Sequence, residues 1–396
     1  MWKLSLSELR LTDEDRAAVL EALDSNWLTM GPRTDAFEKA FAAALDAEAP
    51  PFAFAVSNCT VGLHMAFVAL DIGPGDEVIV PSLTFIASAN AALYTGATVV
   101  LGDVTSQDDL TLSIADVAAK ITPRTRAVVP VHYAGQPCDM QALRDLCQAR
   151  GVAIVEDVAH APLADAAVDG QLQALGSIGE LGCFSFFSNK NLATGEGGMV
   201  VTRDPRLADR LRLLRSHGMT TLTLDRHRGH ASSYDVVELG FNYRIDELRA
   251  ALGLSQLQRL PEVNRRRAEV WHAYRERLRV IDGLRLPFAD RPSVGRTAHH
   301  ILPVLLPEGC ERALVQEAMK AAGVQTSIHY PPVHRFSFHG HSDRVIKDHL
   351  PITDAIADRL LTLPLSQHLS DADLDLVVSS LQAAVGHACS AAGGVR

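Results

Sequence analysis

Apolar runs of strand length alternate with stretches of helical period through the first two thirds of the chain, and this alternation restricts its fold more than any other feature. "DEVIVPS" (76–82), "ATVVLGDV" (97–104), "RAVVPVHY" (126–133) and "VAIVED" (152–157) read as strands. "TVGLHMAFVAL" (60–70) and "MQALRDLCQARG" (140–151), the latter with a glycine stop, read as helices. Strands without polar alternation are covered on both faces, the pattern of a parallel sheet built from β-α-β units. In such a sheet the reactive groups gather at the carboxyl ends of the strands.

After "GFNYRIDELRAALGLSQLQRLP" the texture changes. Ile245, Leu248 and Leu252 lie on one helical face, Pro261 interrupts it, and a second helix ends near Leu278. A strand ("HHILPVLLP"), a helix ("ERALVQEAMKAAG"), an extended piece ("VQTSIHYPP") and a final helix follow. Ser370 and Asp373 open that last helix in capping-box spacing, and Leu374, Val377, Val378 and Leu381 form its apolar stripe. The expected class is α/β, with a large domain over 1–255 that includes the N-terminal segment, and a smaller C-terminal α+β domain over 256–396. A chain of 396 residues, 47% of them hydrophobic, has the material for two cores.

A net charge of −10 with no long basic run points away from nucleic acid and anionic membranes. No apolar stretch of about 18 residues and no signal-peptide core is present, so a cytoplasmic enzyme is expected. The six cysteines form no CxxC pair and read as reduced thiols. Neither His299-His300 nor His339-Gly-His341 falls in a metal-ligand pattern, so no metal is expected. The absence of G-x-G-x-x-G after the first strand sets a nicotinamide enzyme aside.

"FSFFSNKNLATGEGGMVVT" (184–202) places Lys190 between an apolar strand and a glycine-rich turn, where an ammonium is costly unless paired or used in chemistry. Asp157 ends "VAIVED", so its carboxylate emerges at the reactive edge of the sheet, and His160 follows. Ser57, Asn58 and Thr60 precede or open a helix whose first N–H groups make an anion site, although "SNCT" also reads as a plain N-cap. Ser185 adds a hydroxyl, and Phe85 offers an aromatic face. A phosphate cup, a stacking ring, a strand-end aspartate and a buried lysine together are what pyridoxal 5'-phosphate requires. The lysine forms the Schiff base, and the aspartate keeps the pyridine nitrogen protonated.

The ordered motifs "GPRTDAFEKAF", "SNCTVGLHMA", "GPGDEVIVPSLTFIASANA", "EDVAHA", "GCFSFFSNKNLATGEGGMV", "GFNYRIDELRAALGLSQL" and "HYPPVH" closely resemble the DegT/StrS family of sugar aminotransferases, from about residue 31 to residue 365. The resemblance implies an aspartate-aminotransferase-like fold type I, whose large domain holds a mostly parallel seven-stranded sheet. It aligns Lys190 with the lysine that forms the covalent aldimine, Asp157 with the ring-nitrogen partner, and His160 with the residue on the ring-hydroxyl side. Asn58, Cys59 (through its backbone N–H), Thr60 and Ser185 match the phosphate cup, and Phe85 the stacking ring. Asn242 matches an asparagine that reaches the phosphate from the other subunit, which implies a homodimer with shared active sites. Cys59 stands where relatives carry glycine, so a positive φ there would be strained.

By the same resemblance the reaction is a two-step transamination. L-glutamate is the amino donor, pyridoxamine phosphate the intermediate form, and a keto-sugar, typically nucleotide-linked, the acceptor. A carbocyclic ketone of aminocyclitol type, dehydration of an amino-shikimate-type ring, and a non-catalytic regulatory protein are the alternatives. Lys190 together with Asp157 argues against the last. Arg226 and Arg228 could clamp a diphosphate, or belong to a solvated basic loop. His329, Tyr330 and His334, with Trp27 and Thr29 before "GPRT", are further candidates for substrate contacts.

Overall fold

The computed structural model describes residues 2–221, 233–292 and 295–393. Its main sheet is built from β1 (Phe52–Val56), β2 (Glu77–Pro81), β3 (Thr98–Gly102), β4 (Thr125–Val128), β5 (Ala153–Asp157), β8 (Leu181–Ser185), β9 (Gly198–Thr202) and β11 (Val345–Ile346), while β6 (Asp165–Val168) and β7 (Gln171–Ala174) pair apart from it. The eight strands lie in the order β1-β9-β8-β5-β4-β2-β3-β11. β9 pairs antiparallel with both β8 and β1, so it alone runs against the others. The seven strands expected are thus joined by an eighth, two residues long, which the C-terminal part of the chain adds alongside β3. A two-residue edge strand leaves no periodic signature in the sequence.

Successive strand residues enter opposite cores, which is why these strands read as unbroken apolar runs. Ile79, Val100, Ile154 and Phe184 point to one face, among Phe37 and Phe41. Val78, Val80, Val99, Leu101, Val155 and Cys183 point to the other, among Leu63 and Phe67. The helices that cover the sheet include α1 (Asp13–Asp24), α2 (Pro32–Leu45), α3 (Cys59–Ala69), α4 (Ala87–Tyr94), α5 (Ile114–Lys120), α6 (Met140–Arg150) and α7 (Pro205–Leu214). Gly151 ends α6 at φ 64°, the left-handed stop that glycine adopts without strain.

α8 (Glu247–Leu257) packs against α1 and α2, its Ala250 and Leu257 sharing the core of Phe37 and Phe41, and a further core gathers around α9 (Leu260–Leu278), α10 (Arg312–Ala321), strands β10 (Leu302–Leu305) and β12 (Leu360–Leu363), and the final helix from Asp371. Pro261 sits in the first turn of α9, where its missing N–H has no helical partner to lose. Ser370 and Asp373 form the reciprocal capping box, and the stripe Leu374, Val377, Val378 and Leu381 is buried. Contacts cross the 255/256 division in both directions: Leu4 bridges to Val324, and β11 joins the main sheet. Cys59, Cys138, Cys147 and Cys183 are free and buried, whereas Cys310 is disulfide-bonded, which corrects the expectation that every cysteine is reduced.

Candidate active site

The parallel strands deliver their carboxyl ends to one edge, and the candidate residues stand there. Asp157 closes β5, is 5% exposed, and accepts the Ser88 hydroxyl on Oδ2 at 2.7 Å and the Ala159 N–H on Oδ1 at 3.1 Å. Its neighbour Glu156 faces the opposite core. There it accepts N–H groups from Gly176, Ile178 and Gly179 at 2.8–2.9 Å and lies 3.1 Å from His132 Nε2. One residue of the pair therefore anchors a loop, while the other keeps lone pairs for a ligand.

Asn58 caps α3 by accepting the Val61 N–H at 3.0 Å, and its carbonyl takes the Gly62 N–H. The N–H groups of Cys59 and Thr60, the first two of the helix, find no protein acceptor among the described residues. Cys59 is an ordinary helical residue and is absent from the positive-φ residues, so replacing glycine costs nothing there. Across from it, a side chain at Gly198 would sit 2.8 Å from the Asn58 carbonyl carbon and the Cys59 nitrogen, so the glycine lets β9 approach the helix end. Ser185, at the end of β8, registers with Gly198.

Lys190 lies on the return between β8 and β9, with Nζ 3.4 Å from His300 Nε2. Burial lowers its pKa to about 8, against the opposing attraction of Asp157 and the nearby Cys59. The surrounding rings are kept neutral. Burial, then Lys190, holds His160 and His300 well below the ordinary histidine range, and burial with Lys190 takes His329 to about 4. His160 accepts the Ala134 N–H on Nδ1 at 3.3 Å, so its Nε2 carries the proton toward the Tyr330 hydroxyl at 2.9 Å. Tyr330 in turn has its ring centroid 5.6 Å from Phe85, whose ring is 54% exposed.

The remaining candidates divide. His329 joins the cluster through its charge coupling to Lys190, and its Nδ1 meets the Thr362 hydroxyl at 3.1 Å. His334 has both ring nitrogens engaged, with Ser82 at 2.7 Å and Asp354 at 3.0 Å. Trp27 and Thr29 belong to the turn into α2, where a side chain on Gly31 would collide with the Trp27 indole. Glu247 anchors that turn by accepting the N–H groups of Gly31, Arg33 and Thr34 and the Thr34 hydroxyl. Asn242 is exposed on a segment bridged to Ser216. Arg226 and Arg228 lie outside the described residues.

Ser88, His300, Asn191 and Glu247 bond to the candidate residues or to the turn beside them, and the sequence marks none of them for this site. The available signals were faint: Asn191 adjoins Lys190, and His300 stands beside a strand of otherwise apolar residues. Among the described residues no group of three or more His, Cys, Asp or Glu could hold a metal ion. The residues present fit pyridoxal phosphate. Two open N–H groups with a hydroxyl suit a phosphate, a strand-end carboxylate suits a protonated ring nitrogen, and an amine of lowered pKa stands beside them.

The model of the DegT/DnrJ/EryC1/StrS aminotransferase family matches residues 10–382. The spore coat polysaccharide biosynthesis protein SpsC of Bacillus subtilis (strain 168) is 40% identical over 376 residues, which cover 93% of this chain and 94% of SpsC. The aminotransferase TlmJ from Streptoalloteichus hindustanus has a similar solved structure, with TM-score 0.86 and 37% identity, covering 97% of this chain and 99% of TlmJ. The PLP form of Spr1654 from Streptococcus pneumoniae gives TM-score 0.87 at 25% identity, covering 97% and 99%.

Proposed function

We propose that this chain, which belongs to the DegT/DnrJ/EryC1/StrS aminotransferase family and is a pyridoxal-phosphate-dependent aminotransferase of fold type I, transfers the amino group of L-glutamate to a nucleotide-linked keto-sugar. The observation that carries this reading is the Lys190 amine, lowered to about 8 and set beside Asp157 at the sheet edge. SpsC, by its name a polysaccharide biosynthesis protein, supports a sugar acceptor and a place in amino-sugar biosynthesis.

When bound, pyridoxal phosphate supplies an aldehyde carbon that takes up the amino group and a ring that withdraws electrons from the substrate carbon. The chain's own residues do the rest. Asp157, oriented by Ser88 and Ala159, holds the proton on the ring nitrogen. The N–H groups of Cys59 and Thr60, with the Thr60 and Ser185 hydroxyls, hold the phosphate at the positive end of α3, and Asn58 keeps that helix end in shape. Phe85 would cover one face of the bound ring, and His160, with its proton fixed on Nε2, would stand on its hydroxyl side. Lys190 would hold the cofactor through its side-chain amine, and that amine, when free, would be the base that takes the proton from the donor's α-carbon. At a pKa of about 8 roughly a tenth of that amine is unprotonated at pH 7, far more than at the ordinary lysine value.

A homodimer with shared sites belongs to the same proposal. Tyr94, Val236, Val237 and Leu239 are 55–85% exposed, and Tyr94 borders a ring cluster of His64, Phe241 and Tyr243. Apolar surface of this kind favours association, and Asn242 lies within the same segment. The division at 255/256, a cytoplasmic location, and substrate contacts from His329 and Tyr330 are further parts of the proposal. Among the described residues no helix is long and apolar enough to cross a membrane.

The test is formation of 2-oxoglutarate from L-glutamate by the loaded enzyme, with a panel of nucleotide-linked keto-sugars and cyclitol ketones as acceptors and Lys190→Ala as the control. Turnover with a keto-sugar and none in the control supports the reading. Turnover with cyclitol ketones alone overturns the acceptor, and release of no 2-oxoglutarate overturns the donor.

A further inference from the structure

We propose that His300 is the dock on which the Lys190 amine rests when it is not joined to the cofactor, and that an amide relay through Asn191 and Asn264 fixes His300 in the one tautomer able to receive it. The relay can be followed from its far end. Asn264 Nδ2 donates to the Pro162 carbonyl at 2.9 Å, which leaves Asn264 Oδ1 as the acceptor for Asn191 Nδ2, also at 2.9 Å. Asn191 Nδ2 gives its second hydrogen to the Ala298 carbonyl at 2.8 Å. With both hydrogens committed, Asn191 presents its oxygen to His300 Nδ1 at 3.1 Å. An amide oxygen only accepts, so Nδ1 carries the hydrogen and Nε2 keeps its lone pair toward Lys190 Nζ at 3.4 Å. Turning the Asn191 amide over would set its oxygen against two other oxygens, so the assignment is self-consistent.

The ring is fixed in place as well as in tautomer. The buried Arg267 guanidinium donates to the carbonyls of His299 at 3.0 Å, His300 at 2.5 Å and Leu365 at 3.0 Å. The His160 ring packs against His300 with centroids 4.4 Å apart. The titratable groups around Nε2 are Lys190, His160 and His329, with Arg267 behind the ring. Burial and these neighbours all disfavour an imidazolium, so His300 stays an acceptor. An amine that gives one N–H to Nε2 keeps its own lone pair free for a proton on the substrate carbon. At 3.4 Å the contact lies near the outer limit of a hydrogen bond, which suits a group that must leave and return. His300 is thus a positioning residue, and Asn191, next to Lys190 in the motif, acquires a role that the cofactor contacts do not give it.

The catalytic consequence rests on the aminotransferase reading, but the tautomer does not, and the test separates them. Histidine ¹⁵N resonances of the cofactor-free protein are expected to show His300 with a protonated Nδ1 and a bare Nε2 at neutral pH, and Asn191→Leu is expected to move the proton toward Nε2. A wild-type His300 protonated on Nε2, or on both nitrogens, overturns the proposal. In the loaded enzyme, His300→Phe keeps a ring without an acceptor. It is expected to slow the single-turnover reaction with L-glutamate by up to about 10²-fold, the scale on which a misplaced catalytic group loses rate, with KM changed less than about twofold. An unchanged rate overturns the dock. The expected tautomer in a wild-type enzyme that ignores L-glutamate supports the relay and refutes the donor assignment instead.

Discussion

Replacing Lys190 by methionine isolates the cost of keeping an amine among neutral rings. Burial lowers the Lys190 pKa from 10.5 to about 8, a value that already includes the attraction of Asp157. At roughly 1.4 kcal/mol per pH unit, the charged lysine costs the cofactor-free fold about 3 kcal/mol. Below pH 8 lysine is charged both folded and unfolded, so the whole cost is present. Between about 8 and 10.5 the folded amine has lost its proton while the unfolded one still holds it, so rising pH removes the penalty, and above 10.5 it is gone. Methionine fills a similar volume without charge. Cofactor-free Lys190→Met is therefore expected to be about 3 kcal/mol more stable than the parent at pH 7, with the gap closing by about pH 10.5. Urea denaturation of both proteins across this range measures the gap, and groups common to both cancel in the difference. Equal stabilities at pH 7, or a gap that stays constant with pH, would refute burial as the cause of the lowered pKa.

Two further substitutions probe the supports of the site. Ser88→Ala removes the hydroxyl that Asp157 Oδ2 accepts at 2.7 Å. A hydrogen bond to a charged group contributes about 1.5–3 kcal/mol, so cofactor affinity is expected to fall roughly tenfold or more in a fluorescence titration of the stripped protein. A change below twofold would show that Ser88 does not orient the carboxylate. Glu247→Ala strands the N–H groups of Gly31, Arg33 and Thr34 together with the Thr34 hydroxyl. At about 1 kcal/mol for each lost bond the expected destabilisation is at least about 3 kcal/mol in denaturant, with Glu247→Gln recovering part of it.

What the sequence discloses is what leaves a local mark. Asp157 is legible because a charge ends an apolar run, and the Gly151 stop and the Ser370 cap because their chemistry lies within a turn of the helix they bound. Val78, Ile79 and Val80 reveal a doubly covered strand because adjacent residues enter different cores. Ser88, His300 and Glu247 meet their partners Asp157, Lys190 and Gly31 across long separations in the chain, where no spacing rule applies. The edge strand β11 is hidden for another reason, since Val345 and Ile346 are too few to show a period. His334 is conspicuous in its motif, yet its two nitrogens are taken by Ser82 and Asp354, partners that no local spacing announces.

The antiparallel course of β9 has a mechanical consequence. Lys190 rides on a short return tied at both mouths, by Phe186 N–H to the Gly197 carbonyl at 2.9 Å and by Thr194 N–H to the Phe186 carbonyl at 2.8 Å. Gln256 of α8 grips the same return from the side, bonding both the N–H and the carbonyl of Ala193. These bonds tether the backbone under the lysine to the sheet, so the amine's reach is that of its own four-carbon stem, swinging like a crane arm from a braced mast. Movement in such a device is rotation about side-chain bonds rather than a rearrangement of the loop that carries it.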